Sequence, residues 1–124
     1  MGLWLPSEAK KPKVWVMKLT QTYAALGESF YQPSSPAHFP QPQLKLWNAD
    51  LADELNIPAT LQADEEALAA YFSGQNTFEG STPVALAYAG HQFGHFVPQL
   101  GDGRAHLLGD VVNSSGESWE LQLK

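Results

Sequence analysis

The density of glycine in residues 90–110 constrains the fold of this chain more than any other feature. This stretch, GHQFGHFVPQLGDGRAHLLGD, holds five of the ten glycines, three of the four histidines and the only arginine, Arg104. Because each glycine inside a helix costs about 1 kcal/mol relative to alanine, the stretch favours strands and tight turns. The stretch has three possible interpretations: a metal site, a phosphate-binding loop, or a set of turns.

The C-terminal residues have the pattern of a β-hairpin. Residues 105–112 predict a strand, and the NSSGE segment at 113–117 predicts the hairpin turn. The SWELQLK segment then alternates strictly between apolar and polar residues, which is typical of a strand with one buried face. Its apolar face carries Trp119, Leu121 and Leu123, and its polar face carries Glu120, Gln122 and Lys124.

Helix signals dominate the residues before position 90. Asn48 and Asp64 each precede a segment with apolar residues at helical spacing, so both predict helix N-caps. A further helix is predicted from Pro83, at its first turn, to about Tyr88. Leu19, Tyr23 and Leu26 have helical spacing and predict another helical segment, which ends at Gly27.

Two extended segments are also predicted. Residues 32–43 contain four prolines, and because proline lacks an amide donor they predict an extended connector laid over a surface. Leu44, Leu46 and Trp47 predict a short strand after it. Together with the helices and the hairpin, these segments predict an α+β fold with several helices and a small, mainly antiparallel sheet.

The chain is expected to have three parts: a loose extension at residues 1–16, a helical and connector part at 17–97, and a glycine-loop hairpin with a lysine strand at 98–124, incomplete at its C-terminus.

Charge and hydropathy limit the function further. The net charge of −6 argues against nucleic-acid binding. No segment has the length of a membrane span or the pattern of a signal peptide, so we expect a cytoplasmic protein with no membrane partner.

A metal site is the first interpretation of the glycine stretch. His91 and His95 are four residues apart, and His106 is a possible third ligand. The zinc-protease motif requires a glutamate beside its first histidine, whereas this chain has Gln92. Gly90 and Gly94 also disfavour the helix on which that spacing depends. The sequence therefore favours a structural role for these histidines.

A phosphate-binding loop is the second interpretation. Gly101 and Gly103 allow the backbone to approach phosphate oxygens, and Arg104 adds a permanently charged, bidentate donor. A strand rather than a helix is predicted to follow, and LQLK then places Lys124 on the polar face of the next strand. A glycine loop between strands, followed by a strand that bears a lysine, is the arrangement of protein kinases. The alternative for GDGR is an ordinary turn.

The same residues resemble a known family. AYAGHQFGHFVPQLGDGRAHLLGD, followed by WELQLK, resembles the selenoprotein O/YdiU family of kinase-like proteins, and FYQP and LWNADLADELNIP resemble its N-terminal region. The resemblance implies the N-terminal part of a protein-kinase-like fold, and transfer of AMP from ATP to Ser, Thr or Tyr hydroxyls of proteins, with the nucleotide flipped relative to ordinary kinases. It implies that Gly101, Gly103, Arg104 and Lys124 bind ATP.

The resemblance also implies that this chain holds only part of the active site. The catalytic groups and the ligands of Mg²⁺ are expected beyond Lys124, so we expect the chain alone to be inactive and to bind ATP weakly. The alternative is a non-catalytic protein-interaction module or the remnant of a truncated gene. Its binding surfaces would be the proline connector and the polar face of the last strand.

Overall fold

The computed structural model describes residues 17–100 and 105–124, and these residues form an α+β fold. The predicted extension at residues 1–16 lies outside the described residues. Three short α-helices are described: α1 (Ala49–Glu54), α2 (Ala59–Gln62) and α3 (Glu65–Phe72), together with one 3-10 helix (Tyr23–Leu26). The six described strands are β1 (Tyr31–Pro33), β2 (Val84–Leu86), β3 (Tyr88–Gln92), β4 (His95–Leu100), β5 (His106–Val112) and β6 (Ser118–Leu123). None of the described helices is long and apolar enough to cross a membrane.

Strand β5 organises the larger sheet. Four antiparallel strands lie in the order β1-β2-β5-β6, and β3 and β4 form a separate two-stranded sheet. The pairing of β5 with β6 runs from His106–Leu123 to Val112–Ser118, with a bulge between Leu107 and Gly109. The predicted C-terminal hairpin is confirmed.

The turn between β5 and β6 is closed by one buried side chain. The Oδ1 atom of Asn113 accepts hydrogen bonds from the backbone N–H groups of Ser115, at 3.0 Å, and Glu117, at 2.8 Å. The backbone N–H and the hydroxyl of Ser114 both donate to the backbone carbonyl of Glu54 at the end of α1. The hairpin turn is therefore fixed to the helical layer as well as to itself.

Both predicted helix caps are confirmed. The Oδ1 atom of Asn48 accepts from the backbone N–H of Leu51, and that of Asp64 accepts from Ala67, each at 3.0 Å. These contacts satisfy amides that the first turn of a helix leaves unpaired.

The hydrophobic core lies between the helices and one face of the larger sheet. Leu108 and Val111 of β5 join this core, and Leu121 and Leu123 of β6 pack against it. The helical layer contributes Ala52, Leu55, Ile57, Leu61 and Leu68, and the segments around the sheet contribute Met17, Leu19 and Phe78. The apolar face of β6 is therefore the predicted one, because Leu121 and Leu123 pack against the core, although Trp119 is 45% exposed.

Two predicted elements are wrong. The helix predicted from Pro83 to Tyr88 is instead β2, because Val84 and Ala85 are buried between β1 and β5, and pairing on both sides outweighs local helix propensity. The strand predicted at 44–47 is not formed. Leu44 and Trp47 pack against the core through their side chains, and the Trp47 indole donates to Gln62 Oε1 at 3.2 Å.

The N-terminal segment is anchored to β5, and its helix is shorter than the predicted one. Only Tyr23–Leu26 is helical, and this helix ends at Gly27 as predicted, whereas Leu19 lies before it and is buried in the core. Thr20 exchanges two backbone hydrogen bonds with Asp110, at 3.1 and 2.7 Å. The buried carboxylate of Asp110 also accepts from the backbone N–H of Thr22 at 2.9 Å and from its hydroxyl. One aspartate therefore holds this segment through both its backbone and its side chain.

We predict that Asp110→Ala lowers the free energy of unfolding by about 2–3 kcal/mol, because a buried charged acceptor is lost and the Thr22 amide is left without its partner. Urea denaturation measures the change. The matched control is Glu120→Ala, since Glu120 lies opposite Asp110 on β6 and is exposed; its expected effect is about 0.5 kcal/mol or less. Equal effects for the two variants would contradict the anchoring role.

Candidate functional site

The sheet register brings Lys124 to the start of β5. His106, the first residue of β5, pairs directly with Leu123, the last residue of β6. Lys124 directly follows Leu123, and Ala105 directly precedes His106. Ala105 directly follows Arg104 in the sequence. Gly101, Gly103 and Arg104 themselves lie outside the described residues.

The strands on either side of residues 101–104 pair with different partners. Strand β4 pairs with β3, and β5 pairs with β2 and β6, so the two flanking strands lie in different sheets in the described part of the chain. Residues 101–104 lie outside the described residues, so the predicted glycine loop stays a prediction. Strand β4 pairs with β3 because Phe93 and Gly94, with φ of 50° and 81°, make a two-residue turn between them.

The three histidines of the glycine stretch do not converge. His91 and His95 lie on the β3–β4 hairpin, where the His91 ring contacts the Phe96 ring edge-on, with centroids 5.5 Å apart. His106 lies in the other sheet, where its Nδ1 atom is 2.8 Å from the Ser34 hydroxyl. No group of three His, Asp or Glu side chains suited to a metal ion occurs among residues 17–100 and 105–124.

An open groove of about 300 Å³ lies beside Lys124. Its walls include Pro36 and Phe39 of the proline connector and Phe72 at the end of α3, while His106 and Lys124 supply its ionisable groups. None of the described residues lining the groove is acidic, although the whole chain has a net charge of −6. This combination favours a ligand with an anionic group and an apolar part.

The connector forms the outer wall of this groove because it is held at several points. The backbone N–H of Ser34 donates to the carbonyl of Pro83 at 3.0 Å, and the Gln75 side chain donates to the carbonyl of Phe39. Gly74, at a φ of +84°, lies so close to Pro36 that a Cβ atom added there would be 2.4 Å from the Pro36 Cβ. The wall is therefore in close contact with the end of α3.

The three described lysines lie in different surroundings. Lys18 forms an ion pair with Glu79 at 3.5 Å, and Lys45 donates to the Gln43 side chain at 2.7 Å. Lys124 is exposed, and no ion pair joins it to another described residue. Its ammonium is therefore accessible from solvent at the mouth of the groove.

Sequence reasoning did not identify the contact between Ser34 and His106 or the part that the connector plays in the groove. The two residues of the contact are 72 positions apart, and neither belongs to a local motif. Only the pairing of β1 with β2 and of β2 with β5 brings them together.

The described residues form a small α+β unit in which Lys124 directly follows the strand at one edge of the larger sheet. The chain belongs to the SelO family, because the family described as "Protein adenylyltransferase SelO" matches residues 13–124. The resemblance seen in the GHQFG and QLGDGR motifs is confirmed.

Several bacterial proteins named "Protein nucleotidyltransferase YdiU" are similar to this chain. The protein of Teredinibacter turnerae is 49% identical over 108 residues, which cover 87% of this chain and 22% of that protein. The protein of Maridesulfovibrio salexigens is 49% identical over 109 residues (88% and 22%), and that of Nitrobacter winogradskyi is 46% identical over 120 residues (96% and 23%). The chain spans less than a quarter of the length of these relatives.

We predict that Gly74→Ala destabilises the protein more than Gly116→Ala does. The two glycines have nearly the same φ, +84° and +82°, but a Cβ at Gly116 meets no atom within 4 Å. Both variants incur backbone strain of about 1–2 kcal/mol, and Gly74→Ala adds overpacking against Pro36 of about 1–3 kcal/mol. Thermal and urea unfolding measure the difference. Equal losses would show that the groove wall is not tightly packed at this point.

Proposed function

We propose that this chain is the nucleotide-binding N-terminal portion of a protein adenylyltransferase with a kinase-like fold. In this proposal the full-length protein transfers AMP from ATP to Ser, Thr or Tyr hydroxyls of other proteins. Membership of the SelO family and the nucleotidyltransferase names of the relatives support it. The observation that carries it is the β5–β6 register, which places Lys124 beside the strand that follows Arg104 in the sequence.

Each proposed ATP ligand has a distinct physical role. Gly101 and Gly103 have no side chain to keep phosphate oxygens from the backbone N–H groups. Arg104 offers a planar guanidinium for two parallel hydrogen bonds to one phosphate. Lys124 offers a compact, exposed ammonium directly after β6, beside the groove that it lines.

In the proposed reaction, the hydroxyl oxygen of the target protein attacks the α-phosphorus of ATP. The bond from that phosphorus to its bridging oxygen breaks, and the products are the AMP-modified protein, pyrophosphate and a proton. Negative charge develops on the leaving pyrophosphate, so cationic donors fixed beside it lower the barrier. Arg104 and Lys124 are the residues proposed for this stabilisation.

The remaining catalytic groups are proposed to lie in the part of the full-length protein outside this chain. Phosphoryl-type transfer requires Mg²⁺ and a residue that orients the hydroxyl. The described residues contain no group of three possible metal ligands, so no step through the metal is assigned to them.

The isolated chain is therefore expected to show no AMP transfer and only weak ATP binding. Incubation of the purified 124-residue protein with radiolabelled ATP and Mg²⁺ tests this, with the full-length protein as the positive control. Labelled protein product from the isolated chain would show that it already contains the catalytic machinery.

For the full-length protein, we predict that Lys124→Ala lowers kcat/KM for AMP transfer by about 100-fold or more, because a charged donor to the phosphates is lost. The fold should remain intact, since the Lys124 side chain is exposed. Lys45→Ala is the matched control, because Lys45 is also exposed and contacts only Gln43 among the described hydrogen bonds. Unchanged kinetics in Lys124→Ala would contradict its assignment as an ATP ligand.

Arg104→Lys in the same protein is expected to weaken ATP binding by about ten-fold, because lysine keeps the charge but lacks the planar, bidentate fork. Isothermal titration with ATP measures the dissociation constant. Equal affinity in the wild type and the variant would exclude Arg104 as a bidentate phosphate ligand.

One observation favours a second candidate, a protein-interaction module. The β3–β4 hairpin exposes three large apolar side chains, Tyr88 (56%), Phe93 (100%) and Phe96 (60%). Exposed apolar patches of this kind often mark protein interfaces. Measurement of ATP binding by the full-length protein distinguishes the two candidates, because a protein-interaction module without nucleotidyltransferase activity would not bind ATP.

A further inference from the structure

One side-chain contact joins the end of β1 to the start of β5 across the intervening strand. The Ser34 hydroxyl lies 2.8 Å from Nδ1 of His106, and both residues are half-buried. Ser34 directly follows β1, and its backbone N–H donates to the carbonyl of Pro83, directly before β2. The hydroxyl is therefore attached to a fixed backbone.

The position of Lys124 depends on the same end of β5. Among the described strands, β6 has β5 as its only neighbour, so the sheet holds its last residues from one side. The backbone of His106 pairs with Leu123, which immediately precedes Lys124. A shift of His106 would therefore be transmitted directly to the backbone of Lys124.

The side chain of His106 also lines the groove beside Lys124. An imidazole that is free to rotate could occupy several rotamers, whereas a hydrogen bond at Nδ1 restricts it to one orientation. The contact with Ser34 therefore fixes both the end of the strand and one wall of the groove.

We propose that Ser34 and His106 are positioning residues, which act through their mutual hydrogen bond to hold Lys124 at the nucleotide site. This inference rests on the proposed function of Lys124 as an ATP ligand. Neither residue is assigned a contact with ATP or with the hydroxyl substrate. Both act by restricting the motion of Lys124 before ATP binds, so that less conformational entropy is lost when Lys124 binds phosphate.

The test uses the full-length protein and steady-state kinetics of AMP transfer at varied ATP concentration. Ser34→Ala and His106→Leu each remove one side of the contact, and a double variant removes both. His106→Asn is the conservative variant, because its amide lies close to the position of the imidazole Nδ1 and can still hydrogen-bond to Ser34. Ser35→Ala is the control, since Ser35 is the adjacent exposed serine.

Each single variant is expected to raise KM for ATP about five-fold, the order of one net hydrogen bond, with kcat at saturating ATP nearly unchanged. The double variant should also show about a five-fold rise rather than about 25-fold, because both substitutions break the same contact. His106→Asn should restore most of the affinity, and Ser35→Ala should behave as the wild type does.

Four results would overturn the inference. Wild-type KM values in both single variants would show that the contact does not affect Lys124, while the proposed function would stand. A lower kcat with unchanged KM, or fully additive effects in the double variant, would indicate a structural role only. Absence of ATP binding by the wild-type full-length protein would overturn the proposed function and this inference with it.

Discussion

The pairing of β5 with β6 is the interaction on which the rest of the structure depends. On its other side β5 pairs with β2, and its Asp110 holds the N-terminal segment. Its Leu108 and Val111 enter the core beneath the helices. The first residue of β5 pairs with Leu123, directly before Lys124, so the strand that organises the core also borders the proposed nucleotide site.

The sequence predicts those elements whose signals are local. The caps at Asn48 and Asp64 and the turn at 113–117 each depend on side chains a few residues from the amides they bind. The sequence wrongly predicts a helix at β2, because Pro83 is typical of the first turn of a helix. The burial of β2 between β1 and β5 depends on residues distant in the sequence, so no local signal indicates it. Local chemistry was therefore sufficient for caps and turns but not for a short central strand.

The candidate site divides in the same way. Lys124 was predicted from the alternation of its strand together with a family motif, and the described register brings it to the start of β5. The roles of Gly101, Gly103 and Arg104 stay predictions. The contact of Ser34 with His106 could not be predicted, because a separation of 72 residues leaves no periodic signal.

In the proposed function Lys124 binds the phosphates of ATP, and a crystal structure of the full-length protein with a non-hydrolysable ATP analogue is the decisive experiment. The predicted result is a phosphate oxygen at about 2.7–2.9 Å from the Lys124 ammonium nitrogen, the usual length of a charge-assisted hydrogen bond. A bound analogue whose phosphates lie beyond the reach of Lys124 would contradict the claim.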